Sequence, residues 1–199
     1  MSDRDFRKEF LLHMYDQLWN SINIRITGIW QCIGVLAGAF FVLSLVEKNI
    51  VPSDIAVSLI VLMAGWLLWN VQDASYWYNR NLCIVANIEK QMCQKTDMSK
   101  IHHYMGEHRK QKMISHLWIQ CALGIGIIIV FMLYQLIKRT LPSFACGFAW
   151  QNILCTQSLP YAVLIVVIVA MFLLKRDHNR KYKEFLEKSP GIWAEEDKS

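Results

Sequence analysis

Four long apolar runs, separated by polar and charged segments, dominate the pattern of the chain. They occupy residues 26–46, 55–71, 117–137 and 159–174. A helix rises about 1.5 Å per residue, so roughly 20 residues cross a hydrocarbon core of about 30 Å. The first and third runs have that length, and the second and fourth need the flanking residues 70–76 and 154–158. The pattern predicts an all-α membrane protein with four transmembrane helices arranged as two hairpins; the alternative is two spans with two buried or re-entrant helices.

The polar segments divide the chain into five parts. We expect residues 1–22 to form an amphipathic cytoplasmic helix, residues 23–76 the first transmembrane hairpin, and residues 77–113 a cytoplasmic helical hairpin. Residues 114–175 are the second transmembrane hairpin, with an outer loop at 138–157, and residues 176–199 are a cytoplasmic helix and tail. The apolar positions of the first part recur at helical spacing: Phe6, Phe10, Leu11, Met14, Leu18 and Ile22. This face is expected to pack against the other cytoplasmic helices; the alternative is that it lies on the inner leaflet.

The distribution of lysine and arginine predicts the orientation. Four of these residues precede the first run, seven lie between the second and third, and seven follow the fourth. Only three lie in the two remaining connections, at Lys48, Lys138 and Arg139. The positive-inside rule then places both termini and the middle segment in the cytoplasm. The same rule accounts for the net charge of +5, so direct nucleic-acid binding is not expected.

The second run is expected to continue as one helix over about residues 55–95. No glycine or proline interrupts the chain between Gly65 and Gly106. A helix of this length measures about 60 Å, so its last third would stand in the cytoplasm.

The stretch WYNRNLCIVANIEKQM, where this helix leaves the second run, combines aromatic rings with amides. An aromatic belt at the membrane interface explains the rings, and a polar rim at the headgroup level explains the amides. The sharper interpretation is a partner or coupling surface that joins the cytoplasmic helices to the spans, with its hydrogen bonds made to the N-terminal helix or to the helix entering the third span. Its residues would be Trp77, Tyr78, Asn79, Arg80, Asn81, Asn87 and Glu89.

Pairs of small residues four apart occur in the first and third runs, at Gly34 with Gly38 and at Ala122 with Gly126. Such pairs let two helices approach closely. The contact is either between subunits of a homo-oligomer or within one chain.

Cys146 and Cys155 both lie in the outer loop, where an oxidising compartment permits a disulfide; two free thiols are the alternative. The other four cysteines fit apolar packing positions.

The sequence gives no positive support for an enzyme. It contains no GxSxG, P-loop, HExxH or paired CxxC motif. His102, His103, Glu107 and His108 lie close together, but a solvated helix explains them better than a metal site, which needs three or four convergent ligands. No charged residue lies in the middle of a run, which argues against a proton-coupled transporter. We therefore expect no catalytic residue, metal or cofactor.

The Trp-rich end of the second run, followed by WYNRNLCIVANIEKQM, resembles small bacterial membrane proteins of the SLATT type and related retron-associated effectors. The resemblance spans roughly residues 22–95 and is one of architecture: a transmembrane hairpin followed by a cytoplasmic helical extension. This chain adds a second hairpin. The resemblance implies an inner-membrane protein in anti-phage defence, released by a cytoplasmic sensor protein or ribonucleoprotein to compromise the membrane.

These observations predict a non-enzymatic inner-membrane effector that oligomerises and permeabilises the lipid bilayer when triggered. The alternative is a membrane anchor or regulatory subunit that recruits a soluble cytoplasmic partner through its helical hairpin.

Overall fold

The computed structural model describes residues 3–26, 29–100, 113–142 and 157–189. Six helices form in these ranges: α1 (Asp3–Ile26), α2 (Ile29–Glu47), α3 (Ser53–Met92), α4 (Lys95–Lys100), α5 (Ser115–Gln135) and α6 (Leu159–Lys188). A π-helical turn, Leu136–Thr140, extends α5. These ranges contain helices and no strands, which confirms the all-α prediction.

Three helices are long and apolar enough to cross a membrane: α3, α5 with its π turn, and α6. In the described part of α2, Cys32–Glu47 is a shorter apolar helix. The chain is therefore a membrane protein by the length and composition of its helices. The segment after the fourth run is not a separate helix, because α6 continues without a break from Leu159 to Lys188.

The helices group into two compact units. Gly28–Gln72 and Ser115–Arg176 form the first, which we call the apolar unit. Met1–Thr27, Asp73–Ile114 and Asp177–Ser199 form the second, the polar unit. The units therefore divide after Thr27, Gln72, Ile114 and Arg176, whereas the sequence pattern divided the chain after residues 22, 76, 113 and 175.

A tight turn joins α2 to α3 in the apolar unit. The N–H of Ile50 donates to the carbonyl of Leu45 and the N–H of Asn49 to that of Val46, both at 2.9 Å. This pair of bonds is the Schellman motif, which satisfies carbonyls at the end of a helix. Asn49 adopts the left-handed conformation the motif requires, with φ of 56°, and asparagine tolerates it better than most residues. Pro52 follows, and its carbonyl accepts the N–H of Ala56 to begin α3.

The first half of α3 is the centre of the apolar unit. Ile60, Val61, Ala64 and Leu67 are fully buried. Small residues set the distances to its neighbours. A Cβ atom on Gly65 would lie 2.7 Å from Val167 of α6, and one on Gly124 of α5 would lie 2.9 Å from Leu68 of α3. Side chains larger than hydrogen cannot occupy these two positions without moving a neighbour.

Candidate functional site: the junction of α1, α3 and α6

In the polar unit, the second half of α3 packs against α1 and against the end of α6; we call this region the junction. On the α1 side, Ile22 is buried among Tyr78, Leu82 and Val85 of α3. Tyr15, Leu18, Trp19 and Ile114 border this cluster. The predicted packing of the N-terminal helix against another helix is confirmed. The packing stripe differs from the predicted one, since Phe6 and Phe10 are 60% and 58% exposed.

Three polar contacts follow the same interface between α1 and α3. Asn81 Nδ2 donates to Ser21 Oγ at 3.2 Å. The Tyr15 hydroxyl donates to Glu89 Oε1 at 2.9 Å, and burial raises the pKa of Tyr15, which keeps the donor proton in place. Arg7 contacts Gln91 at 3.2 Å. The partner residue on α1 moves toward its N-terminus as the α3 residue advances, so the two helices run antiparallel.

The opposite side of α3 packs against α6 through aromatic rings. Tyr76, Cys83 and Tyr182 form a buried cluster, and Trp77, Phe185 and Leu186 border it. Cys83 Sγ and the Tyr182 hydroxyl lie 3.2 Å apart.

Arg80 lies on this α6 side. Its guanidinium carbon is 4.9 Å from the centre of the Trp77 ring and 5.5 Å from that of the Phe185 ring. Both distances are within the range of a cation–π interaction. Arg80 therefore joins α3 to α6 through ring faces, whereas the sequence predicted hydrogen bonds to the N-terminal helix or to the helix entering the third span.

His178 of α6 is buried in the same contact between α3 and α6. Its ring stacks on Tyr76 with centroids 4.6 Å apart and 15° between the planes. Nε2 lies 3.4 Å from Asp73 Oδ1, and Nδ1 is buried without a hydrogen-bond partner in the described structure. Burial lowers the pKa of His178, and the Asp73 carboxylate partly opposes that shift.

The residues predicted as a coupling surface therefore divide among three roles. Tyr78, Asn81 and Glu89 contact α1, while Trp77 and Arg80 border α6. Asn79 is buried, and its amide donates to the carbonyl of Ser75 one turn earlier in α3.

Asn87 departs from the expected pattern. Its Oδ1 is buried with no hydrogen-bond partner among the described residues. The expectation that protein groups satisfy these amides thus holds at Asn79 and Asn81 but not at Asn87.

The small-residue pairs have unequal surroundings in the apolar unit. A Cβ atom on Gly38 would collide with the Met63 side chain of α3, whereas one on Gly34 would meet nothing within 4 Å. On α5, a Cβ atom on Gly124 would collide with Leu68, but one on Gly126 would meet nothing within 4 Å, and Ala122 is exposed. Within the described chain, Gly38 permits close packing against α3, whereas Gly34 and Gly126 leave room for a methyl group.

The candidate disulfide, Cys146 with Cys155, lies outside the described residues, as do His102, His103, Glu107 and His108. In the ranges that are described, no three His, Cys, Asp or Glu side chains are arranged to hold a metal ion.

Sequence reasoning missed a second polar cluster, which lies in the apolar unit. Asp54, in the first turn of α3, is 3% exposed. It accepts a hydrogen bond of 2.7 Å from Gln135 Nε2, and Arg139 Nε lies 3.6 Å away. Arg139 also donates to Ser53 at 3.0 Å. In the sequence, the signal for this cluster was Gln135 near the end of an apolar run, followed four residues later by Arg139.

Chemically, the junction is equipped to hold three helices together through rings, amides and one buried imidazole. It contains a tyrosine beside a carboxylate and a cysteine beside a tyrosine, and each pair joins two helices. A scan against protein-family models found no match to the chain, and searches of curated proteins and of solved structures found none either.

Proposed function

We propose that the chain is a non-enzymatic effector of the bacterial inner membrane that oligomerises and permeabilises the bilayer when triggered, in anti-phage defence. In this proposal four helices cross the membrane and both termini are cytoplasmic. The observation that carries it is the outward small-residue face of α5. A Cβ atom on Gly126 would meet nothing within 4 Å, and Ala122 is exposed.

Helices associate in membranes where small residues permit close backbone approach. The two faces of α5 differ in this respect, because Gly124 is already used against Leu68. Trp118 and Ile129 flank the outward face and are 65% and 52% exposed. A second copy of the chain would cover this stripe without disturbing the packing inside the first copy.

The junction supports a trigger. Two of its predicted coupling residues, Asn81 and Glu89, bond to α1, so a cytoplasmic sensor protein or ribonucleoprotein that displaces α1 would break the Ser21–Asn81 and Tyr15–Glu89 bonds. Partly exposed hydrogen bonds and a small apolar cluster are the kind of contact that opens locally at modest cost. The junction is thus the proposed resting lock.

Regulated overproduction with a potential-sensitive dye tests the proposal. Cells that produce the parent protein should depolarise, and Ala122→Leu should abolish the effect while the protein still inserts. Ala162→Leu is the matched control, since Ala162 is an exposed alanine on α6. If cells that produce Ala122→Leu still depolarise, the outward face of α5 takes no part in the mechanism. If cells that produce the parent protein keep their membrane potential, the effector proposal is wrong.

Arg80→Ala and Asn81→Ala test the lock. Both variants should insert and assemble, but their depolarisation should no longer depend on the trigger. Lys183→Ala, an exposed basic residue of α6, is the control. If Arg80→Ala and Asn81→Ala depolarise cells only when triggered, as the parent does, the stretch that contains them is an aromatic belt and not a lock.

The second candidate is a membrane anchor that recruits a soluble partner. The exposure of Phe6 and Phe10 on α1 favours it, because two exposed aromatic rings one helical turn apart offer an apolar surface to a partner. An anchor would leave the membrane potential intact and copurify with a partner. Phe6→Ser with Phe10→Ser should release that partner, whereas Ala122→Leu should not.

A further inference from the structure

A groove between α3 and α6 lies on the surface of the apolar unit. Its volume is about 390 Å³, within the range of sites for small organic ligands. Gly65 and Val167 form its buried floor, where the two helices approach most closely. Its walls are apolar or aromatic: Leu62, Trp66, Trp69, Val166, Ala170 and Met171.

The length of the groove matches one leaflet of a bilayer. Its α3 side runs from Leu62 to Asn70, a rise of about 12 Å along the helix. Half of a hydrocarbon core is about 15 Å thick. The groove therefore accommodates most of a single acyl chain that lies parallel to the helices.

Polar groups occur at one end of the groove only. Asn70 lies there and donates its amide to the carbonyl of Trp66 at 2.8 Å. On α6, Lys175 follows Met171 by one turn and so shares its face. Lys175 is exposed, and no ion pair joins it to an acid anywhere in the described ranges. One turn adds about 5 Å, which brings its ammonium group to the level of the headgroups.

We infer that this groove binds one anionic phospholipid, with an acyl chain along Gly65 and Val167 and the phosphate beside Lys175. The charge of Lys175 complements an anionic headgroup, and basic groups next to intramembrane grooves are the usual recognition element for such lipids. The Trp69 ring, 43% exposed, lies at the same end and can donate its indole N–H to an ester or phosphate oxygen. The inference requires α3 and α6 to cross the membrane, and it is independent of permeabilisation.

Tryptophan quenching by brominated lipids tests the site in the purified full-length chain. The chain is placed in nanodiscs that contain either brominated phosphatidylglycerol or brominated phosphatidylcholine at low mole fraction. Trp66 and Trp69 line the groove, so the double variant Trp66→Phe with Trp69→Phe serves as the reference. The fluorescence quenching that the parent shows and this variant lacks is the signal from the groove. Phosphatidylglycerol should quench this signal at a concentration about fivefold lower than phosphatidylcholine, the ratio that corresponds to one basic residue at the headgroup level.

Two substitutions with matched controls locate the lipid. Lys175→Gln should abolish the preference for phosphatidylglycerol, and Lys183→Gln, farther along α6, should not. Ala170→Phe should fill the groove and remove quenching by both lipids, whereas Ala162→Phe, outside the groove on the same helix, should leave it unchanged. Equal quenching of the parent by the two lipids would refute the anionic specificity. Quenching that persists in Ala170→Phe would place the lipid elsewhere.

Discussion

Among individual residues, Arg80 and Asn81 are adjacent in sequence yet bind different helices. Asn81 contacts Ser21 of α1, and Arg80 lies over rings of α3 and α6. Successive residues of a helix point about 100° apart, so one short polar stretch supplies both sides of the junction. A single substitution in this stretch should therefore loosen one side and leave the other intact.

The hydrogen bond between Asn81 and Ser21 is expected to stabilise the polar unit by about 1 kcal/mol. Asn81→Ala and Ser21→Ala, singly and together, should show a coupling energy of that size in a double-mutant cycle. The measurement is urea unfolding in detergent, followed by the protection of α1 amides. Strictly additive effects of the two substitutions would show that the bond contributes nothing.

The buried imidazole of His178 should make the polar unit sensitive to acid. Its folded-state pKa lies below the ordinary value because burial disfavours the charged ring. The unfolded state then binds protons more readily, so the free energy of unfolding should fall as the pH decreases from about 7 to about 5. Asp73 and Asp177 oppose the shift in pKa and Lys181 reinforces it.

His178→Gln should flatten this pH dependence, measured by thermal unfolding at a series of pH values. His13→Gln, an exposed position of α1, is the control. An unchanged slope in the His178 variant would assign the acid sensitivity to the carboxylates.

Some of these residue contacts could be predicted from the sequence. Amides near a membrane interface need protein partners, and this argument indicated either the N-terminal helix or the helix entering the third span; Asn81 bonds to the first of these. It could not select Ser21, because the register between two helices depends on packing. It also failed for Arg80, since a guanidinium is satisfied by a ring face as well as by an oxygen.

At the level of elements, α3 is one of two helices, with α6, that both units share in sequence. Its continuity was predictable because no glycine or proline follows Gly65 within it. The assignment of small residues to contacts was not predictable. Gly34 and Gly38 lie on the same face of α2, and only the position of Met63 determines that Gly38 is the one in contact.

Gly65→Ala should destabilise the apolar unit by about 1–3 kcal/mol. The added methyl group would lie 2.7–2.8 Å from both methyl groups of Val167, and a β-branched side chain has little rotamer freedom to yield. Gly34→Ala is the control, because its methyl group meets nothing within 4 Å. In detergent, the midpoint temperature of thermal unfolding should be lower for Gly65→Ala than for the parent and for Gly34→Ala. Equal midpoint temperatures would mean that α3 and α6 separate easily.

At the level of the whole molecule, three described helices can span a membrane. The distribution of basic residues predicts their orientation. Alkaline phosphatase fused after residue 52 or 148 should be active outside the cytoplasm. Green fluorescent protein at either terminus or after residue 100 should fluoresce in the cytoplasm. Phosphatase activity after residue 100 would invalidate the four-span proposal together with the assignment of the junction to the cytoplasm.

The contact between Asp54 and Gln135 has a consequence for how the protein is made. The two residues are 81 positions apart, and the carboxylate is buried with its hydrogen bond made to a side chain of α5. During synthesis the start of α3 leaves the ribosome long before the end of α5, so the nascent first hairpin must keep Asp54 hydrated until its partner arrives. Assembly of the bundle therefore has an order, in which the second hairpin completes the first. A chain truncated before Gln135 should be degraded by membrane proteases, and supplying the missing hairpin as a separate polypeptide should rescue it.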